Sequence, residues 1–90
     1  MTDSNDALVE LLTLTVTVDK HGTRQYSNSL GQPHRHHGPA IEWANGDKSW
    51  YLNNKLHRTD GPAIEWPDGT RVWYLDGQQL SEKEFNERLK

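Results

Sequence analysis

The chain has no cysteine among its 90 residues, so neither a disulfide framework nor a thiolate metal site can form, and the composition suits a reducing compartment. It also has no apolar run approaching the roughly 18 residues of a membrane helix. Its start, Met1-Thr2-Asp3-Ser4-Asn5-Asp6, is acidic and lacks the basic and apolar stretches of a secretion signal. A cytoplasmic protein with no membrane association is the expectation. Excess positive charge is missing too: ten Lys and Arg against thirteen Asp and Glu give a formal charge of −3. The basic residues are spread out rather than gathered in a stripe, which argues against direct nucleic-acid binding. Only 32% of the residues are hydrophobic, so a single small domain over residues 1–90 must draw its core from a few large side chains.

Those side chains are present. Trp43, Trp50, Trp66 and Trp73, with Tyr26, Tyr51, Tyr74 and Phe85, hold most of the buryable area, and they recur at a fixed interval. Setting residues 34–56 over 57–79 matches twelve of 23 positions, among them His-Arg, Gly-Pro-Ala-Ile-Glu-Trp and Trp-Tyr-Leu. A fixed period of this kind marks stacked supersecondary units, none of which buries its own face alone. The small core also makes a homodimer an expectation.

Within each unit Asn45-Gly46 and Asp68-Gly69 predict hairpins with two-residue loops. That register sets Ile41 opposite Trp50 and Ile64 opposite Trp73, with Ala, Glu and Tyr of each unit on the other face. It also lays Lys48 and Arg71 over Trp43 and Trp66 as cation–π covers. A second turn, at Asn53-Asn54 and Asp76-Gly77, ends each Trp-Tyr-Leu strand, and Gly61-Pro62 makes a corner between units.

Residues 12–33 read as a degenerate capping unit. A strand over Leu12–Asp19 alternates Leu and Val with Thr, and a three-residue loop, Lys20-His21-Gly22, sets Val16 opposite Tyr26. Residues 80–90 hold Ser81-Glu82-Lys83-Glu84, a capping box, and Phe85 and Leu89 follow at helical spacing, which predicts a short helix. Residues 1–11 form an N-terminal segment that suits a short helix over 4–11 or a strand equally. The fold class is thus mostly β, an antiparallel meander of 23-residue hairpin units with a short C-terminal helix.

Several residues invite chemistry. His34, His36 and His37 beside His57 suggest a metal site, since imidazole suits zinc, copper or nickel. His34 and His57, like Arg35 and Arg58, share a repeat position, which favours a structural corner, and no cysteine completes a closed zinc site. The reading is therefore no metal and no cofactor. Glu42 and Glu65 recur on one face without a nearby nucleophile and read as a solvated pair, and Asp60 is expected to bond to amides of its own turn. No Ser-His-Asp set, phosphate-binding glycine loop or dinucleotide fingerprint appears. The β-prone stretch Leu12–Val18 lacks charge and proline, which makes it a candidate edge for a second chain.

The string from His57-Arg58-Thr59-Asp60-Gly61-Pro62 through Trp73-Tyr74-Leu75-Asp76-Gly77 to Leu80-Ser81-Glu82-Lys83-Glu84-Phe85 resembles tandem repeat proteins of tailed bacteriophages, themselves distantly similar to MORN-type repeats. The resemblance covers residues 34–89 and implies a β-meander ending in a helix. It brings no catalytic residues. Residues 1–33 depart from it, as does His37, which stands where the pattern has Asp. The functional expectation is a non-enzymatic, phage-type accessory protein that binds and inhibits a host protein, with a defence nuclease such as a CRISPR effector as one concrete target. Tyr51 and Tyr74, beside Glu42 and Glu65, and Arg35 and Arg58 are the candidate contact residues. The alternatives are a small-ligand or nucleotide-binding protein using the aromatic faces with Arg35 and Arg58, and a structural or assembly component of a virion.

Overall fold

A computed structural model describes residues 9, 10 and 12–89. Nine short strands run in chain order: β1 (Thr15–Val18), β2 (Arg24–Ser27), β3 (Ile41–Glu42), β4 (Lys48–Ser49), β5 (Tyr51–Leu52), β6 (Lys55–Leu56), β7 (Ile64–Glu65), β8 (Arg71–Leu75) and β9 (Gln78–Leu80). Seven form one antiparallel sheet in the order β1-β2-β3-β4-β7-β8-β9, while β5 and β6 make a two-stranded sheet. The mostly β, antiparallel, meander-like architecture is as expected from the sequence. So is the C-terminal helix α1 (Glu82–Arg88). Ser81 caps it by accepting from the Glu84 amide, and the Glu84 carboxylate accepts from the Ser81 amide in return. Among the described residues no helix is long and apolar enough to cross a membrane.

The register of two hairpins differs from expectation by one residue. Ile41 lies opposite Ser49, not Trp50, and Ile64 opposite Val72, not Trp73. The loops hold three residues each. Trp43 donates to Asp47 O and Gly46 donates back to Trp43 O, and Trp66, Thr70 and Gly69 repeat the arrangement. This is the loop correctly expected at Lys20-His21-Gly22, where Val16 does face Tyr26. Each loop closes on a glycine at φ near +95°, namely Gly22 at 91°, Gly46 at 97° and Gly69 at 93°. In the second hairpin Pro67 gives a physical reason. Its ring holds φ near −65°, which suits the first central position of a type I turn. A two-residue type I′ loop would instead need positive φ at Asn45 and Asp68, which neither has. The type I′ turns are the others, Asn53-Asn54 at φ 47° and 72° and Asp76-Gly77 at 50° and 80°.

A one-residue slip exchanges the faces. One face carries, strand by strand, Gln25, Ile41, Ser49, Ile64 and Val72, and alternation adds Trp43, Trp66, Tyr51 and Tyr74 to it. We call it the isoleucine face. The opposite, or guanidinium, face carries the row Tyr26, Ala40, Trp50, Ala63, Trp73 and Leu80, in which aromatic and small residues alternate. Ala40 and Ala63 are wholly buried there because the rings on either side close over them. Tyr51 and Tyr74 therefore do not share a face with Glu42 and Glu65, and Trp50 and Trp73 do not share one with Ile41 and Ile64.

The tryptophans contribute less to the core than their size suggests. Among the described residues the buried apolar ones are Tyr26, Ala40, Ile41, Ala63, Leu80 and Phe85, the last packed from α1 beside β8 and β9. The N-terminal strand is also shorter than expected. Residues 9, 10, 12 and 13 are helical, and β1 begins only at Thr15. The Glu10 carbonyl accepts from the Leu14 amide and the Thr13 hydroxyl, which holds this turn against extension. The expected helix over 4–11 falls largely outside the described residues.

Candidate functional site

The His-Arg-x-x-Gly-Pro corner of each unit is built outward from its histidine. Nδ1 of His34 accepts from the Asn53 amide at 2.9 Å, and Nδ1 of His57 accepts from the Asp76 amide at 3.0 Å. Each ring thereby ties the corner to the type I′ turn beside it. The arginine that follows turns onto the guanidinium face. Arg35 lies 3.9 Å over the Tyr26 ring, and Arg58 lies 3.9 Å over the Trp50 ring. These stacks take the place of the covers expected at Trp43–Lys48 and Trp66–Arg71. The Cζ atoms of Arg35 and Arg58 each lie 2.9 Å from where a Cβ on Gly38 or Gly61 would stand. Glycine thus recurs because the guanidinium occupies the side-chain space.

The two guanidinium groups are not held alike. Arg58 donates through Nε to Asp60 at 2.7 Å, and through Nη1 to Pro62 O and to Glu65, both at 3.0 Å. Asp60 therefore accepts from a side chain rather than from amides of its own turn, as the sequence had suggested. Arg35 reaches Pro39 O at 3.4 Å and Glu42 at 3.8 Å, and its Nε, buried, has no partner among the described residues. Beyond the corners a row of alternating charge crosses the same face: Arg24, Glu42, Lys48, Glu65, Arg71. Opposite charges at directly paired positions stabilise a sheet, and Arg24 meets Glu42 at 3.5 Å. Sequence reasoning missed this ladder because the slipped register opposes Glu42 to Ser49.

Glu10 joins the first corner from the N-terminal helical turn. Its carboxylate accepts from the His36 amide and the His36 ring, both at 2.6 Å, and from the His37 amide at 3.1 Å. Burial works to raise its pKa, but these donors outweigh it and hold the carboxyl below the usual value. His34 is pushed below the ordinary histidine value, first by burial and then by the neighbouring His36.

Glu10, His34 and His36 bring donor atoms within 4.8 Å of one another, which is metal-ligand spacing. The hydrogen bonds do not suit a metal. Because Nδ1 of His34 accepts an amide proton, its neutral ring carries the proton on Nε2 and has no second lone pair to give. A ligating histidine instead donates from its other nitrogen. Only His36, whose Nδ1 pairs with Glu10, has that arrangement.

The candidate contact residues thus separate. Arg35, Arg58, Glu42 and Glu65 come together as ion pairs on the guanidinium face, while half-buried Tyr51 and Tyr74 lie on the isoleucine face. There they accompany two residues not among those singled out, Trp43 and Trp66, which are 44% and 45% exposed. Comparisons with protein-family models, curated proteins and solved structures returned no match.

Proposed function

We propose that this chain is a non-catalytic protein-binding module whose isoleucine face, anchored by Trp43, Trp66, Tyr51 and Tyr74, holds a host protein and inhibits it, as a phage-type accessory protein would. The observation that carries the reading is the pair of tryptophans, each nearly half exposed at the same position of its hairpin, on one face of a continuous sheet. An indole offers roughly 150–250 Å² of contact area. Displaying two of them in register on a rigid frame forgoes burial in a chain with few apolar residues, and such anchors are what binding hot spots are made of. Ile41 and Ile64 lie beside the two indoles on the same face, with Ser49 of β4 between them, so a partner's side chain meets a surface already ordered.

The test is capture from host lysate by the tagged protein, beside Trp43→Ala/Trp66→Ala and Tyr51→Ser/Tyr74→Ser variants checked for native circular dichroism. One protein retained at near-equal stoichiometry should be lost from the tryptophan variant, with affinity weakened by roughly 30-fold or more, about 2 kcal/mol. Unchanged capture by a folded tryptophan variant overturns the reading.

A further inference from the structure

The two corners of the molecule serve as controls for each other. At the second corner one guanidinium, Arg58, faces two carboxylates, Asp60 and Glu65. At the first, two guanidinium groups, Arg24 and Arg35, share the single carboxylate of Glu42. The missing carboxylate traces to one position, because His37 stands where the other unit has Asp60. As a result the Nε–H that Asp60 engages at 2.7 Å in Arg58 is a buried donor without a partner among the described residues in Arg35. A buried donor of a charged group left without an acceptor is unfavourable, a standing drive for an oxyanion to approach. The approach is geometrically ordinary: Asp60 reaches Arg58 from a side chain that is 81% exposed, and His37, at the equivalent position of its unit, is exposed. A cleft of about 470 Å³ lies between the corners, with Arg35, His37, Trp50, His57, Arg58 and Asp60, the last already paired with Arg58, in its wall.

We propose that the Arg35–His37 corner is a binding site for a carboxylate supplied from outside the chain, which takes at Arg35 the place that Asp60 holds at Arg58. The site lies on the guanidinium face, opposite the tryptophan pair, and stands or falls independently of the partner surface proposed above. One ligand chemistry has two sources here, an acidic side chain of another protein or a small free carboxylate.

The experiment follows the arginine Nε–H resonances of the ¹⁵N-labelled protein during titration with sodium acetate, with sodium chloride at matched ionic strength, and with a capped Gly-Asp-Gly peptide. The Arg35 resonance should shift saturably with acetate and peptide and not with chloride, while that of Arg58 stays in place. Saturation at lower concentration by the peptide assigns the site to a protein-borne carboxylate, and by acetate to a free one. His37→Asp, which furnishes an internal carboxylate, should abolish the response and raise the thermal midpoint. An Arg35 resonance that ignores both carboxylates, or moves in step with Arg58, overturns the proposal, and so does an undiminished response in folded His37→Asp.

Discussion

Cζ of Arg58 stands 2.9 Å from the point where a side chain on Gly61 would begin, so the two positions share one volume. Gly61→Ala must therefore dislodge the guanidinium from Trp50, Asp60 and Glu65, at a cost of about 1–3 kcal/mol. Gly69 is a contrasting case: open space surrounds its Cβ position, but φ is 93°, so Gly69→Ala should cost about 1–2 kcal/mol through the backbone alone. Urea denaturation in an Arg58→Ala background separates the mechanisms. There the Gly61→Ala penalty should shrink by at least about 0.5 kcal/mol and the Gly69→Ala penalty should not. Additive losses at Gly61 would mean that the arginine is not what excludes a side chain.

His34 makes stability depend on pH in a predictable direction. Burial, and then the neighbouring His36, hold its pKa below the ordinary value, and the Asn53 amide that donates to its Nδ1 also suits the neutral ring. The unfolded chain therefore takes up the proton first as pH falls. The stabilisation is complete above about pH 6.5 and is lost as pH drops toward the lower folded value. Glu10, also lowered, adds a second loss only below the usual glutamate range. The urea midpoint should fall between about pH 7 and pH 5 and fall less in His34→Asn, whose amide oxygen still accepts. Parallel profiles for the two proteins would remove His34 as the cause.

Chelation should leave the protein unchanged. Since His34 uses Nδ1 as an acceptor, Glu10, His34 and His36 cannot present three metal-ready donors without breaking the bond to Asn53. Purified protein treated with EDTA should melt at the temperature of untreated protein. A fall of several degrees, reversed by adding zinc, would contradict this assignment.

The sheet edge at β1 should pair with a second copy. Asp19 donates across the hairpin to Thr23, so Thr17 and Thr15 direct their amides inward and Val16 and Val18 direct theirs outward. All four residues of β1 are exposed, and none is charged or a proline. Two such edges related by a two-fold axis at Thr17 would join Val16 of one copy to Val18 of the other and set Thr17 against Thr17 in a pair without backbone bonds, a geometry open to a disulfide. Thr17→Cys introduces the sole cysteine and should oxidise to a covalent dimer. Val18→Pro, which removes an outward donor only, should leave a folded monomer. Light scattering that shows wild-type monomer at about 100 µM, with Thr17→Cys failing to cross-link, would sink the pairing.

Local signals in the sequence determined much of this protein. The 23-residue period, the glycine turns, the capping box at Ser81 and the Val16–Tyr26 pairing could all be read from residues close together in the chain, because turn chemistry and helix caps depend on neighbours. Pro67-Asp68-Gly69 even carried the signal for the three-residue loop, in a form easily taken for a two-residue one. That single residue of register decided which side chains face together, and in strands only two residues long no hydrophobic alternation corrected it. The arginine stacks, the charge ladder and the carboxylate of Glu10 beneath the His36 and His37 amides became visible only in the tertiary structure. They join residues six to 27 positions apart, and their geometry follows from how strands align rather than from any pattern along the chain.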